Sequence, residues 1–395
     1  MSWKKKFVGN WWRLGMKCKL EDIVDVTMGQ SPKSEYYNTE GKGYPFLQGN
    51  RSFGFKYPTF DTYTTVITKP AKAGDVIMSV RAPVGALNIT PVDMCLGRGV
   101  CSLRMKNGNQ DFLFYMMKYY IPHLLKKESG TVFGSVNRND INGLEVNIPE
   151  DAQVQKKIAR YLEMIDDKIE LNNEINNNLL EQALTLYATQ FSLLELNGCI
   201  GDYCSVKSGF AFKSSWWTNC GIRVIKIGSI NQDNLNLLEC SYVDEDKADR
   251  AKDFVVKAGD LLIAMTGATI GKFAMVPYSS EVLLVNQRVG KFFLGNNPVE
   301  KLPFIYCTLK QPEVYGEVVN RGQGSAQPNI SASDIMSIPC VIPSQDAINY
   351  FNDMSQPLFD LIISNQRENQ QLSELRNALL PKLMSGEIDV SGIDL

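Results

Sequence analysis

The chain repeats itself at long range. Lys72-Ala73-Gly74-Asp75 leads into Val76, Ile77 and Met78, and Lys257-Ala258-Gly259-Asp260 leads into Leu261, Leu262 and Ile263. The order persists elsewhere: Gly29 matches Gly209, Gly85 matches Gly271, Arg98 matches Arg288, Asp140-Ile141 matches Asp334-Ile335, and Ile148-Pro149 matches Ile342-Pro343. A period of about 190 residues far exceeds the roughly 20 to 50 residues of solenoid repeats, so the duplicated unit is a whole domain followed by a helix. Two copies of one scaffold predict two similar ligand sites.

Within each copy, short β-rich runs alternate with turn residues. Residues 45–47, 76–80 and 100–105 read as strands in the first copy, and 223–227, 260–265 and 289–294 in the second. Helical spacing covers 111–127, with Phe112, Tyr115, Met116, Tyr119 and Tyr120 on one face, and returns near 302–309. After Pro149 the pattern changes. Ile158, Leu162, Ile165, Ile169, Asn172, Asn176, Leu179, Ala183 and Leu186 step by four and three, the seam of a coiled coil. Phe351, Met354, Leu358, Leu361, Asn365, Leu372, Leu375 and Leu379 keep the same register in the second copy. Asparagines on both seams point to two helices that pair in one alignment, because a buried Asn fixes register at a cost in stability. Seams that face other subunits are the alternative. Each helix, about 40 residues at 1.5 Å rise, spans about 60 Å.

The expected fold is therefore α+β, with two similar mixed α/β domains joined by two long helices forming an antiparallel coiled coil. The expected boundaries are 1–149 for the first domain, with an N-terminal extension at 1–19, 150–196 for a central helical spacer, 197–343 for the second domain, and 344–395 for the C-terminal spacer and tail.

The net charge of −2 hides an asymmetry. Residues 1–150 hold 20 Lys+Arg against 13 Asp+Glu, and residues 197–343 hold 14 against 14; residues 151–196 hold 4 against 8, and 344–395 hold 3 against 8. A basic excess suits a phosphate-binding surface, and an ordinary solvated face carries one too. Nine cysteines at scattered spacings, with no Cys-x-x-Cys, argue for reduced thiols and against both a disulfide framework and a zinc site. The sequence has neither a signal-peptide stretch nor a run of 18 apolar residues, so a cytoplasmic protein with no membrane partner is expected. The single histidine, His123, excludes a His-based triad elsewhere. No phosphate loop, dinucleotide fingerprint or amino-methyltransferase tetrapeptide occurs, and the two Gly-Asp pairs read as turns before apolar strands. The chain reads as non-catalytic.

What remains are loops rich in hydrogen-bonding and stacking side chains, the residue types that grip phosphates or read base edges. In the first domain the candidates are Gln30, Ser31, Lys33, Tyr36, Asn50, Arg51, Ser52, Arg81, Arg98, Asn137 and Arg138. In the second they are Lys213, Ser214, Trp216, Lys226, Asn231, Thr266, Gln287, Arg288, Gln323 and Ser325. For any one of them a structural role is the competing account.

Together these features resemble a known family. The duplicated modules, the Gly29-Gln30-Ser31-Pro32 and Gly209-Phe210-Ala211-Phe212-Lys213-Ser214 openings, the Gly-Asp-apolar strands and the tail Leu379-Leu380-Pro381-Lys382-Leu383-Met384-Ser385-Gly386-Glu387-Ile388 are similar to the specificity subunit of type I restriction-modification systems. The resemblance implies two target-recognition domains, each reading one half of a split double-stranded DNA sequence, with the paired helices setting the gap. It also implies docking of two methylation subunits on the helical region and of restriction subunits on that complex. S-adenosylmethionine, ATP and Mg belong to those partners, and none is bound by this chain. Residues 1–19, with Lys4 to Lys6, Trp3, Trp11 and Trp12, are a departure that completes either the helical bundle or the recognition fold. Two other readings stay open: a specificity subunit of a type IIG or IIB enzyme, and a protein-binding scaffold that uses no DNA.

Overall fold

The structure, a computed structural model, describes residues 15–126, 134–322, 328–390 and 392. It divides into two compact units, one of Met1–Glu170 with Leu372–Leu395, the other of Leu171–Gln371. In the first unit β1 (Gly15–Lys19), α1 (Leu20–Ile23) and β2 (Val24–Met28) precede β3 (Tyr37–Asn38), β4 (Tyr44–Leu47), β5 (Tyr63–Thr64) and β6 (Pro70–Ala71). Then come β7 (Val76–Ser79), β8 (Leu87–Ile89), β9 (Met94–Leu96), β10 (Val100–Met105), α2 (Gln110–Lys126), α3 (Arg138–Asn142), β11 (Glu145–Pro149) and the start of α4 (Ala152–Phe191). The second unit holds β12 (Gly198–Cys199), α5 (Ile200–Tyr203), β13 (Ser205–Ser208), β14 (Trp217–Thr218), β15 (Ile222–Ile225), β16 (Ile230–Asn231), β17 (Asn234–Leu235) and β18 (Ser241–Val243). It continues with α6 (Glu245–Ala248), β19 (Val255–Val256), β20 (Leu261–Ala264), β21 (Phe273–Met275), β22 (Leu283–Val285), β23 (Val289–Phe293), α7 (Leu302–Leu309), α8 (Pro312–Gly322), α9 (Ala332–Met336) and β24 (Pro339–Cys340), and α10 (Gln345–Ser385) follows.

The duplication holds strand for strand. Sheet orders β2-β10-β7-β8, β3-β5-β4-β9-β6 and β1-β11 in the first unit return as β13-β23-β20-β21, β14-β18-β15-β22-β19 and β12-β24 in the second. In each five-stranded sheet one pair is parallel, β4 with β9 and β15 with β22, at matching places. The second unit adds the β16–β17 hairpin. Gly29 and Gly209 show why the repeat keeps its glycines: a Cβ would meet the Gly97 carbonyl oxygen at 2.1 Å in one copy and the Val285 carbonyl oxygen at 2.3 Å in the other. Backbone cannot yield as a flexible side chain does. Gly29→Ala and Gly209→Ala are each expected to destabilise the protein by about 2 kcal/mol, read as a lowered denaturation midpoint; an unchanged midpoint would show that these turns relax freely.

The Gly-Asp pairs are turns. The Asp75 carboxylate accepts the Lys72 N–H at 2.8 Å and pairs with Arg104, and Asp260 accepts the Lys257 N–H at 2.9 Å and pairs with Lys291. Asp140 and Asp334 close reciprocal caps at the starts of α3 and α9, with Asn137 and Ser331 as the N-cap residues. Each cap satisfies two backbone donors that the first helical turn leaves open.

Both long helices serve both units. In the first, Val154, Ile158, Ala159 and Leu162 of α4 join Leu383, Met384 and Val390 against Phe112, Met116 and the strands, so the tail motif closes this core. In the second, Leu180, Ala183, Tyr187 and Phe191 meet Ile348, Phe351, Phe359, Ile362 and Ile363 together with α7. Tyr187 lies edge-on to Phe351 at 5.6 Å and to Phe191 at 5.1 Å. The chain direction is antiparallel in each: Arg376 bonds Asp166 in the first unit, and Asn172 donates to Glu368 and Asn365 to Asn176 in the second.

The seam differs in register from a strict heptad. Ile158, Leu162, Ile169 and Asn172 are buried as expected, but the buried stripe of α4 then runs through Asn176, Leu180, Ala183, Tyr187 and Phe191 rather than Leu179 and Leu186, and includes Asp166 in place of Ile165. On α10 the buried residues are Phe351, Ser355, Phe359, Ile362 and Asn365, whereas Met354, Leu361 and Leu375 are exposed and Leu358, Leu372 and Leu379 half-buried. An uncoiled helix has 3.6 residues per turn, so a 3.5-residue pattern drifts about 20° per heptad. Over the roughly eight turns from Ile158 to Tyr187 the apolar stripe moves by nearly one residue.

Candidate nucleic-acid interface

In the first unit, the ends of β2, β4 and β9 converge on a cleft of about 1120 Å³. Eight expected residues line it: Gln30, Ser31, Lys33, Asn50, Arg51, Ser52, Arg81 and Arg98. Two glycines make the convergence possible. A Cβ on Gly97 would lie 2.6 Å from the Gln48 Cα, and one on Gly99 2.5 Å from the Gln48 carbonyl oxygen, so only glycine lets the β9–β10 turn pack against the loop after β4. That loop bonds the turn directly, Gly97 N–H to the Leu47 carbonyl at 2.8 Å and Gly99 N–H to the Gln48 carbonyl at 2.9 Å. Polar side chains complete the wall: the Ser31 hydroxyl donates to the Gln48 Oε1 at 2.8 Å and accepts the Arg98 N–H at 3.2 Å.

The cations in the cleft are not equivalent. Arg51 is paired with Asp61, and Lys33 lies 3.7 Å from Glu35. Arg81 and Arg98 have no acidic partner among the described residues. Exposed and unpaired guanidiniums offer forked donors to a phosphate or a guanine edge without first breaking an ion pair.

Other candidates are placed elsewhere. Tyr36 is held by backbone bonds to Lys33 and Thr65, and its neighbour Tyr37 lines the cleft instead, its hydroxyl donating to the Pro32 carbonyl at 2.9 Å. Asn137 caps α3, and Arg138 donates to the Val26 carbonyl at 2.5 Å, tying that helix to β2. Both lie off the cleft, because Asn and Arg in a turn serve backbone acceptors and donors as readily as ligands. Gln323 and Ser325 lie outside the described residues, as do residues 1–14; residues 15–19 form β1.

In the second unit the expected aromatic and basic residues gather around two tryptophans. Lys213 and Ser214 begin a single 3-10 turn that presents Trp216, whose ring stacks on Phe210 at 6.2 Å. Lys213, Lys247 and Arg250 stand 5.7, 5.8 and 5.4 Å from the Trp216 centroid. Lys226 sits 3.5 Å over Trp217, and partial burial, then the charge of Arg288, holds its ammonium below the usual lysine range. The second copy thus places cations around its two tryptophans, with Lys247 also paired to Asp246. Lys247 and Arg250 escaped sequence reasoning because a helical charge run looks like a solvated face; the tryptophan that they flank was the available signal. Asn231 ends β16 and is exposed. Thr266 belongs to the scaffold, bridging Asn329 with its hydroxyl buried, whereas Gln287 is exposed and its backbone N–H donates to the Phe210 carbonyl at 2.9 Å.

A profile of the type I restriction modification DNA specificity domain matches residues 15–181 and again residues 197–374. The chain belongs to that family. Its two domain matches coincide with the two copies of the sheet system. The putative type I restriction enzyme MjaX specificity subunit of Methanocaldococcus jannaschii is 38% identical over 39% of this chain and 36% of its own length, so the match spans about a third of that relative. The MjaIX specificity subunit of the same organism is 24% identical over 94% of this chain and 93% of its own, and the HindI specificity subunit of Haemophilus influenzae is 23% identical over 81% and 88%. Among solved structures, a type I restriction-modification S subunit from M. genitalium covers 93% of this chain and 96% of its own at a TM-score of 0.49 and 18% identity. Among the described residues of this specificity-family chain, no helix is long and apolar enough to cross a membrane.

Proposed function

We propose that this chain is the DNA-recognition subunit of a type I restriction-modification complex, reading a split double-stranded target with one half-site per domain. The observation that carries this reading is the pairing of one sheet system, repeated strand for strand, with unlike side chains at matching loops. At the matching turns after β2 and β13 the first copy presents Tyr36 and Tyr37 and the second Trp216 and Trp217, and past β4 and β15 the first presents Asn50 and Arg51 and the second Lys226. Identical scaffolds with different reading residues suit an asymmetric target, because phosphate contacts position a protein while base-edge contacts specify sequence. The helices α4 and α10 set the gap. Their exposed apolar residues, Met164 and Leu375 in the first unit and Leu171, Met354 and Leu361 in the second, are docking positions for methylation subunits, with restriction subunits joining that complex. The chain itself is non-catalytic in this reading, and the methyl donor, ATP and Mg act on the partner chains.

Single-molecule methylome sequencing of a host that expresses the chain with its methylation partner tests the proposal. A split, adenine-methylated motif is the expected result. A continuous motif would favour a single reading surface, and no new methylation would remove the DNA role.

A further inference from the structure

The loop that forms one wall of the first unit's cleft continues to α4. Four residues beyond Ser52, the Lys56 side chain, 5% exposed, reaches Asp167 at 3.1 Å and Glu163 at 3.4 Å on that helix. The same loop is fixed to β8: Gly54 and the Asn88 side chain exchange two hydrogen bonds of 3.0 Å, and the Lys56 carbonyl accepts the Ile89 N–H at 2.9 Å. Its front carries Asn50, Arg51 and Ser52 into the cleft and its back rests on the long helix. Burial pulls the Lys56 ammonium downward, but the hydrogen bond to Asp167 and the carboxylate charges of Asp167 and Glu163 prevail and leave it raised, so it is charged throughout the neutral range.

The neighbouring position repeats the arrangement at greater depth. Asp166 is fully buried and takes the Tyr115 hydroxyl at 2.9 Å, Arg376 at 2.6 Å and Lys118 at 3.4 Å; burial, outweighing the Asp166 charge, pushes the Lys118 ammonium down to about 8. The second unit reaches a similar end with different residues. Asp233, at the turn of the β16–β17 hairpin with φ of 66°, pairs with Lys310 and the Tyr306 hydroxyl, and its carbonyl accepts Gln366 of α10 at 3.0 Å. Asn231 lies two residues before it. In the first unit, then, a loop with candidate reading residues is pinned to a long helix by a charged side chain; in the second the Asp233 carboxylate pins the hairpin to Tyr306 and Lys310 at the end of α7, and only its carbonyl reaches α10.

We propose that Lys56 is a positioning residue that holds the DNA-reading loop in register with α4, and that the Asp233 carboxylate holds the hairpin of the second unit against Tyr306 and Lys310 at the end of α7. The proposal rests on the DNA-reading function above. A buried ion pair adds little net stability, since desolvation offsets most of the attraction, but an ammonium between two carboxylates has few acceptable geometries. An apolar residue would fill the space equally well but would leave the loop tied only to β8, without its charged contacts to α4.

The test uses the full-length chain and its complex with the methylation partner, with Lys56→Met, Lys56→Arg and Asp233→Asn. Hydrogen exchange of the free chain reads the loop, and competition between 30-bp duplexes carrying the sequenced motif, with either half scrambled, reads discrimination. Lys56→Met is expected to speed exchange within residues 48–59 about tenfold while β7 and β10 stay protected. It is expected to cut discrimination at one half-site about tenfold and leave the other half unchanged, with Lys56→Arg restoring both. Asp233→Asn is expected to act on the opposite half. Unchanged exchange and discrimination overturn the proposal, and so does a loss of protection spread through β7 and β10, which would make Lys56 a general stabiliser. A wild-type complex that does not discriminate overturns the DNA reading itself, while the exchange data still decide whether Lys56 holds the loop.

Discussion

Removal of residues 168–174 from α4 together with residues 367–373 from α10 is expected to shift methylation to a target whose halves lie about three base pairs closer. Seven helical residues span about 10 Å, and three base pairs of duplex about the same at roughly 3.4 Å each. Seven residues also turn a helix through nearly two full revolutions, leaving an error of about 20°, so the faces that pack against each domain stay in place. The segments flank the boundary between the compact units, at Glu170 with Leu171 and at Gln371 with Leu372, and they leave the Asn365 to Asn176 bond intact. Deletion from α4 alone is the control. It shortens one helix by about 10 Å against the other, so the Asp166–Arg376 and Asn176–Asn365 bonds cannot both form in one straight pair, and methylation is expected to be abolished. Methylome sequencing that returned the original spacing from the double deletion would sink the idea that the helices set the gap.

The second large effect is expected at the cleft. Arg81→Ala with Arg98→Ala should weaken binding of the assembled complex to its target about 100-fold, and lower the slope of log affinity against log salt by up to about 2. Both guanidiniums are free of acidic partners among the described residues, so each can bind DNA without a competing ion pair. Arg51→Ala should cost less, about threefold to tenfold, because Arg51 must leave Asp61 before it contacts a phosphate. A gel-shift titration at matched salt that ranked Arg51 above Arg98 would reverse this assignment, and an unaltered salt slope would remove both arginines from the phosphate contacts.

Much of this was legible beforehand because the repeat is written in residues that only one backbone can use. Gly29 and Gly209, or Asp75 and Asp260, survive in both copies because a Cβ or a missing carboxylate would break the same turn twice. The cleft was legible for a related reason: Gln30, Ser31 and Lys33 follow β2, Asn50 to Ser52 follow β4, and polar residues just past strands end up at one edge of a sheet. Less legible were side chains whose partners lie far away in sequence. Asn137 and Arg138 looked free as ligands and are occupied by α3 and β2. Lys56 carries no local signal and is buried against residues more than 100 positions later.

The sequence alone determined the duplication, the two long amphipathic helices and the two polar loop sets, because turns, apolar periodicity and glycine requirements are local properties of the chain. Tertiary structure decided which apolar stripe of each helix is buried. Leu361 satisfies a heptad and faces solvent, while Phe359 and Ile362 meet the core, because a domain packed on an uncoiled helix follows a period of 3.6 residues rather than 3.5. It also decided which described charges lack an acidic partner and which are tied to the scaffold, since an ion pair depends on distance in space and not on separation along the chain.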